Sequence, residues 1–203
     1  MNLDRLPFNW FDLVLVIVLL MGIFRGRKRG MSEELMTLLQ WIAIVLACSM
    51  LYRPIGAWLE SVSLLSLLTS YVVAYLATAG AMAIAFVLFK RAFHGKLIGS
   101  DAFGRAEYYL GMPAGMVRFG CIMLAGLALL NARFYTQEEI RAYQVYQNDV
   151  YGKEYFPGLQ VLQANVFEES LIGPSIRKHL AFLLIMPTAP ESKNIHQREW
   201  KMP

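Results

Sequence analysis

Four long apolar runs constrain the fold of this chain more than any other feature of the sequence. They lie at residues 8–24, 35–52, 67–89 and 110–132, and each reaches the roughly 17 residues that a helix needs to cross a bilayer. The composition agrees, with 57% hydrophobic and 17% charged residues against about 45–50% and about 25% in soluble domains. We therefore predict an all-α polytopic membrane protein with about four transmembrane helices.

The first run, residues 8–24, is about 25 Å long as a helix, which is near the lower limit for a span. A secretory signal peptide has a similar length, but its cations precede the apolar part. Here the cluster that begins at Arg25 follows it, and no small-x-small cleavage site comes after. We expect this run to stay in the protein as a membrane anchor.

Lysine and arginine are distributed unevenly around these runs. Eight cations lie in the two loops after the first and third runs, and four lie close to the membrane on the opposite side. Because cytoplasmic loops carry an excess of Lys and Arg, both loops are predicted to be cytoplasmic, with the N and C termini outside. The eight are Arg25, Arg27, Lys28, Arg29, Lys90, Arg91, Lys96 and Arg105; the four are Arg5, Arg53, Arg133 and Arg141.

The chain changes character after the transmembrane domain, which is predicted to span residues 1–132. Residues 133–187 mix tyrosines with charges, and their apolar stretch at 180–186 is too short to cross a bilayer. We therefore predict an extramembrane tail with an amphipathic or interfacial helix. Residues 188–203 are polar and flanked by prolines, and they are predicted to be disordered.

Glycines recur every four residues between the first two runs. Gly22, Gly26 and Gly30 allow backbones to approach closely or the chain to turn sharply at the membrane edge. Ser32 is predicted to cap the second helix, so that Glu34 lies in its first turn and complements the helix dipole. The sequence therefore predicts one tight corner between the first two spans.

Asp12 lies about one turn inside the first run, where an unpaired carboxylate is costly. One interpretation is an interfacial carboxylate that is hydrated or hydrogen-bonded to Tyr71, Asn131 or Arg133. The other is a site that binds a proton or a partner, because loss of solvation raises the pKa of a carboxyl group.

Arg118 is a second charge beside an apolar stretch. Its long side chain has room to reach the cytoplasmic headgroups, or it pairs with Glu34 or Glu107 at the same depth. Gly111 and Gly115 in the same run would let the helices come close enough for a pair. We predict that Glu34 and Arg118 form this pair.

Small residues repeat along the third run. Ala77, Ala81 and Ala85 are four residues apart, and Ala74 and Thr78 line an adjacent strip. Such a pattern is typical of close helix packing, either within one chain or between subunits.

The sequence favours no catalytic or cofactor site. Cys48 and Cys121 lie in separate apolar runs without metal-ligand spacing, so neither a disulfide framework nor a metal site is predicted. His94, His179 and His196 are scattered, and no hydrolase or metalloprotease motif occurs. We expect no enzymatic activity, no cofactor and, because the excess positive charge lies in short loops, no nucleic-acid partner.

Two motifs carry a resemblance to a known family. The first is GRKRGMSEELMTLLQW, a Gly-x-x-Arg-Gly-x-x-x-Glu turn followed by a leucine-rich helix and Trp. The second is EYYLGMPAGMVR, where Glu107 and Tyr108 replace the Asp and Arg of the family pattern. An Asn-Trp-x-Asp start is similar as well. The matching residues are Asn9, Trp10, Asp12, Gly26, Arg29, Gly30, Glu34, Leu35, Leu38, Trp41, Leu110, Gly111, Gly115 and Arg118.

These motifs resemble those of the colicin V production proteins, small bacterial membrane proteins, over roughly residues 9–130. The resemblance implies a multi-pass protein of the bacterial inner membrane that supports toxin production or export and envelope function. We expect it to act through contacts with other membrane proteins or as a homo-oligomer in the lipid bilayer. An oligomeric channel or transporter with a polar path that includes Asp12 is the alternative.

Overall fold

Helices form almost all of the chain that the structure describes. The computed structural model describes residues 9–63, 65–92, 104–135, 137–151 and 158–188. No strand forms within these ranges, so the predicted all-α class is confirmed. The helices are α1 (Trp10–Val62), α2 (Leu67–Ala92), α3 (Glu107–Leu130), α4 (Gln137–Tyr151), α5 (Leu159–Phe167) and α6 (Gly173–His179).

Helix α1 is interrupted at one residue, Gly30. With φ of 77° and ψ of 169°, Gly30 has a backbone conformation that L side chains rarely adopt. It divides α1 into a first arm, residues 10–29, and a second arm, residues 31–62, about 30 Å and 48 Å long as helices. The first arm matches the hydrocarbon core of a bilayer, and the second is longer than the core.

The two arms run in opposite directions along α3. In the first arm, Gly22 lies against Gly115, and Gly26 against Gly111, so the arm and α3 are antiparallel. In the second arm, Val45 packs with Cys121. Tyr52, later in the arm, lies in one cluster with Ala128, later in α3, so these helices are parallel. Helix α1 is therefore a hairpin that turns at Gly30.

The hairpin accounts for the predicted number of spans. Three helices, α1, α2 and α3, are long and apolar enough to cross a membrane, and the break in α1 divides it into two arms that are each long enough for a span. One expectation was wrong, because Arg25 to Arg29 belong to the helical first arm rather than to a loop. Ser32 is also not a cap: the second arm begins at Met31, and the Ser32 hydroxyl has no hydrogen-bond partner among the described residues.

Helix α2 packs antiparallel to the second arm. The Lys90 ammonium donates to Gln40 Oε1 at 3.1 Å near one end, and Tyr71 lies against Gly56 near the other. The end of α2 that carries Lys90 thus lies on the same side as Gly30 and the start of α3.

The face of α2 that packs within the chain is the strip with Ala74 and Thr78, which are buried. Ala77, Ala81 and Ala85 are exposed, and Ala85 lines a groove that α2 forms with the second arm. The repeat of small residues is therefore not used inside the chain, and contact between subunits stays a prediction.

The core lies at the end of the bundle opposite Gly30, where residues after 158 pack against the long helices. Val166 and Phe167 of α5 and Ile176 of α6 join a buried cluster with Phe11 and Tyr52 of the two arms. The tail thus covers one end of the bundle.

The predicted tail helix, expected from Pro174 onward, forms as α6 but ends before the apolar stretch at 180–186. Helix α6 ends at His179, a short 3-10 turn follows, and Leu184 and Ile185 are buried in the core. The chain then runs extended beside residue 132, where Thr188 N donates to the Ala132 carbonyl at 3.0 Å. The stretch is too short for a span. Burial removes Leu183, Leu184 and Ile185 from solvent, whereas Phe182 and Met186 stay exposed. Of residues 188–203, which were predicted to be disordered, Thr188 is held by backbone hydrogen bonds, and the others lie outside the described part of the chain.

Candidate functional site

The corner at Gly30 brings two helices into backbone contact. A Cβ atom added to Gly22 would lie 2.7 Å from the Gly115 carbonyl oxygen. One added to Gly26 would overlap with the Gly111 carbonyl, and one added to Gly111 with that of Gly26. These four glycines therefore allow α3 to approach the first arm more closely than any larger residue would permit.

Glu107 completes the corner from the start of α3. Its side chain lies directly over Gly30, since a Cβ atom added to Gly30 would be 2.7 Å from Glu107 Cγ. The two family-like motifs thus meet at this point: Gly30, the turn of the first motif, lies beneath Glu107, the first residue of the second motif. Gly30 is required for two reasons, its positive φ and its contact with Glu107.

Glu34 and Arg118 form the predicted pair. Arg118 Nη1 donates a hydrogen bond to Glu34 Oε1, and the two charges form an ion pair. The Glu34 side chain is fully buried and that of Arg118 is 12% exposed. The Arg118 guanidinium also lies over the Phe119 ring, 5.2 Å from its centroid. The pair therefore joins the second arm to α3 in a place largely shielded from solvent.

Arg29 adds a second cation to this pair. Its Nη1 lies 3.6 Å from Glu34 Oε2, an ion-pair distance that exceeds normal hydrogen-bond length. Among the described residues, neither Glu34 Oε2 nor Arg118 Nε has a hydrogen-bond partner. Glu34 thus lies between two guanidinium groups, and the buried carboxylate is compensated on both sides.

Asp12 lies at the opposite end of the bundle and does not join this site. It is buried, and its Oδ2 accepts hydrogen bonds from the backbone N–H groups of Asn9 at 3.1 Å and Leu171 at 3.0 Å. The Asn9 contact forms a capping box at the start of α1. The Asn9 amide also donates to the Asn165 carbonyl at 3.0 Å, so the start of α1 is bound to the tail.

The predicted partners of Asp12 were wrong. Tyr71 packs edge-on against Tyr52, and Asn131 donates to the Ile185 carbonyl at 2.9 Å. Arg133 lies over the ring of Tyr135. The backbone of the tail supplies the missing partner, and backbone N–H groups have no signature in the sequence.

Sequence reasoning also missed the bond between Lys90 and Gln40. Both residues lie beside apolar stretches, and the sequence gives no indication of which helix faces α2. The antiparallel packing of α2 and the second arm brings them to the same level.

The described residues contain no group of three or more His, Cys, Asp or Glu side chains that would hold a metal ion. Cys48 and Cys121 are both buried and unbonded to each other. The polar chemistry of the described spans is instead that of ion pairing and helix capping.

Comparison with known proteins gives the family. No curated protein and no solved structure matches the chain. The family described as "Colicin V production protein" matches residues 11–150, more than half of the chain, including both arms of α1, the glycine corner and the Glu34–Arg118 pair. This chain belongs to the colicin V production protein family.

Proposed function

We propose that the protein is a non-enzymatic membrane scaffold that supports the production or export of a peptide toxin, and envelope function more generally, by binding other membrane proteins. The family supports the link to toxin production. The main support for partner binding is the exposed face of α2 with Ala77, Ala81 and Ala85, because small residues let a partner helix approach closely. We place the protein in the bacterial inner membrane.

The buried charges support a structural role for the rest of the bundle. Glu34 is bonded to Arg118, and Asp12 accepts two backbone hydrogen bonds, so these carboxylates stabilise contacts between elements. Such a bundle presents the α2 face in a fixed position. Homo-oligomers are included among the partners, since the same face is suited to a second copy.

The test uses bacteria that carry the colicin V genes and lack their own member of this family. Cells with the wild-type chain should secrete toxin, measured as the zone of growth inhibition on a sensitive lawn, and should yield crosslinked partners on purification from membranes. Ala77→Leu/Ala81→Leu should reduce both readouts without lowering the amount of folded protein. The control is Ala57→Leu, at an exposed alanine of the second arm. Wild-type toxin release and crosslinking by the double variant would refute the proposal.

A channel or transporter is the second candidate, and one observation favours it. Asp12 Oδ1 is buried and has no hydrogen-bond partner among the described residues, so this oxygen is left to accept a bond from a transported ion or solute. Purified protein in liposomes should then conduct protons or a solute, and Asp12→Asn should abolish the flux. Folded protein without flux supports the scaffold instead.

A further inference from the structure

An apolar groove runs along the seam between α2 and the second arm of α1, on the outer surface of the bundle. It lies away from the exposed alanine strip around Ala77, although Ala85 contributes to both surfaces. The residues that line it include Met36, Leu39, Ala43, Leu46, Ala85 and Phe86. In a membrane this groove faces the lipid.

The length of the groove matches one acyl chain. From Met36 to Leu46 the second arm rises about 15 Å, which is half of the roughly 30 Å hydrocarbon core. A transmembrane partner helix would need a groove along the whole core. A lipid chain from one leaflet needs only half of it, so the groove fits a lipid better than a helix.

The last turn of α2, at the end of the groove that is nearer the corner, carries two cations. These are Lys90, which directly follows the groove residue Phe89 along the chain, and Arg91, whose side chain is exposed. Lys90 donates to Gln40, which lies between the groove residues Met36 and Ala43 on the second arm. An ammonium group has three donors, so this bond holds Lys90 beside the groove and leaves two donors for another acceptor.

The ion pairs found among the described residues at this end of the bundle use Arg29 and Arg118 with Glu34, and they do not include Lys90 or Arg91. Lys90 and Arg91 are therefore not neutralised by these ion pairs, and they lie where a chain leaving the groove would end in a headgroup. A negatively charged headgroup complements these two cations, whereas a zwitterionic headgroup also brings a cation of its own, which they repel.

We propose that the groove and the last turn of α2 form a binding site for an anionic phospholipid. One acyl chain of the lipid occupies the groove. The lipid phosphate accepts hydrogen bonds from Lys90 and forms an ion pair with Arg91. This inference does not depend on the proposed scaffold function. It assigns a ligand to a surface that shares only Ala85 with the proposed partner face.

The experiment compares two lipids on the purified full chain. Protein in detergent is mixed with phosphatidylglycerol or phosphatidylcholine, and the lipid retained is counted by native mass spectrometry. Wild type should retain phosphatidylglycerol in preference. Lys90→Gln/Arg91→Gln should weaken its binding by roughly 25-fold, because each cation near an anionic lipid surface contributes on the order of a factor of five.

Matched controls separate the site from general charge. Arg25→Gln/Arg27→Gln removes two exposed cations at the same end but on the first arm, and it should retain lipid as wild type does. Ala85→Phe fills the groove and should reduce binding with both cations present, whereas Ala57→Phe, outside the groove, should not. Circular dichroism checks that each variant is folded.

Three outcomes would overturn the proposal. They are equal retention of the two lipids by wild type, equal losses in the two charge variants, and unchanged binding in Ala85→Phe. A dimer crosslinked through the groove with no lipid retained would assign the surface to a second copy.

Discussion

At the scale of single residues, Glu34 is the least exposed carboxylate that the structure describes. It is fully buried, its Oε1 accepts a hydrogen bond from Arg118, and Arg29 lies 3.6 Å from its Oε2. A buried ion pair gains little over apolar residues of similar size, but removal of one partner leaves an uncompensated charge. The two single substitutions and the double substitution should therefore differ strongly.

We expect Arg118→Leu to lower the free energy of unfolding by about 3–5 kcal/mol, because Glu34 loses its hydrogen-bonded counterion. Glu34→Leu/Arg118→Leu should recover part of this loss, since neither charge is then left buried. The measurement is unfolding of the purified protein followed by circular dichroism.

Arg177→Leu provides the control for that experiment. Arg177 lies 3.9 Å from Glu168, both side chains are exposed, and such pairs contribute about 0–1 kcal/mol. If Arg118→Leu is no worse than Arg177→Leu, the buried pair has no part in stability and the inference drawn from its burial is wrong.

The buried charges show what sequence reasoning reaches and where it ends. Glu34 and Arg118 were predictable partners, because each is a charge of opposite sign at the same depth in an apolar segment. The contact of Asp12 with Leu171 was not predictable, because the donor is a backbone N–H group 159 residues away that any amino acid but proline offers.

At the scale of elements, the contact between α3 and the first arm depends on glycines. Gly111 has no room for a side chain, because the Gly26 carbonyl occupies the space. Gly120, in the same helix, has open space around the position of a Cβ atom. Replacement of these two glycines by alanine is therefore expected to have opposite effects on stability.

Gly111→Ala should destabilise the bundle by about 1–3 kcal/mol, as expected for overpacking, because α3 must move away from the first arm. Gly120→Ala should be neutral or stabilise by up to about 1 kcal/mol, since alanine is the better helix former. Thermal unfolding in one detergent compares the two variants, and equal effects would contradict the close contact.

The pattern of apolar runs predicted the helices but not their ends. The first arm continues through Arg25 to Arg29, and the second continues to Val62, well beyond the predicted end at residue 52. Hydropathy marks the part of a helix that lies in lipid, whereas hydrogen bonding and good helix formers such as Arg and Lys extend it into the aqueous phase.

At the scale of the whole molecule, the tail and the bundle are one packed unit. The tail contributes Val166, Phe167 and Ile185 to the core, and its backbone accepts and donates hydrogen bonds at Asn165 and Leu171. Sequence reasoning separated the tail from the membrane domain because its residues mix polar and apolar character. Its buried residues are few and scattered along the chain, so no periodic pattern identifies them.

Removal of the Asp12 carboxylate should loosen this unit. Asp12→Ala deletes the acceptor for Leu171 N and the capping box, a loss of roughly 1–2 kcal/mol in local stability. Hydrogen exchange measured by mass spectrometry should become faster at residues 168–173. Glu169→Gln, an exposed neighbour, should leave the exchange unchanged, and equal rates in both variants would exclude this role of Asp12.

The charge distribution of the whole chain predicts its membrane orientation. The end with Gly30 and Lys90 carries the excess of cations, so a reporter fused after Arg29 or Lys96 should be cytoplasmic and one after Tyr135 should not. Paired alkaline phosphatase and fluorescent protein fusions measure this. A tail reporter active only in the cytoplasm would contradict the arrangement with both termini outside.

The separation of Glu34 and Arg118 by 84 residues has a consequence for biosynthesis. A ribosome makes both arms of α1 and all of α2 before it makes Arg118, so Glu34 enters the membrane well ahead of its main counterion. Arg29, only five positions earlier, is present from the start and is the local cation that accompanies the carboxylate during this interval. A nascent chain that stops before α3 has only the 3.6 Å contact between Arg29 and Glu34. Quality-control proteases should recognise such a chain as incompletely folded.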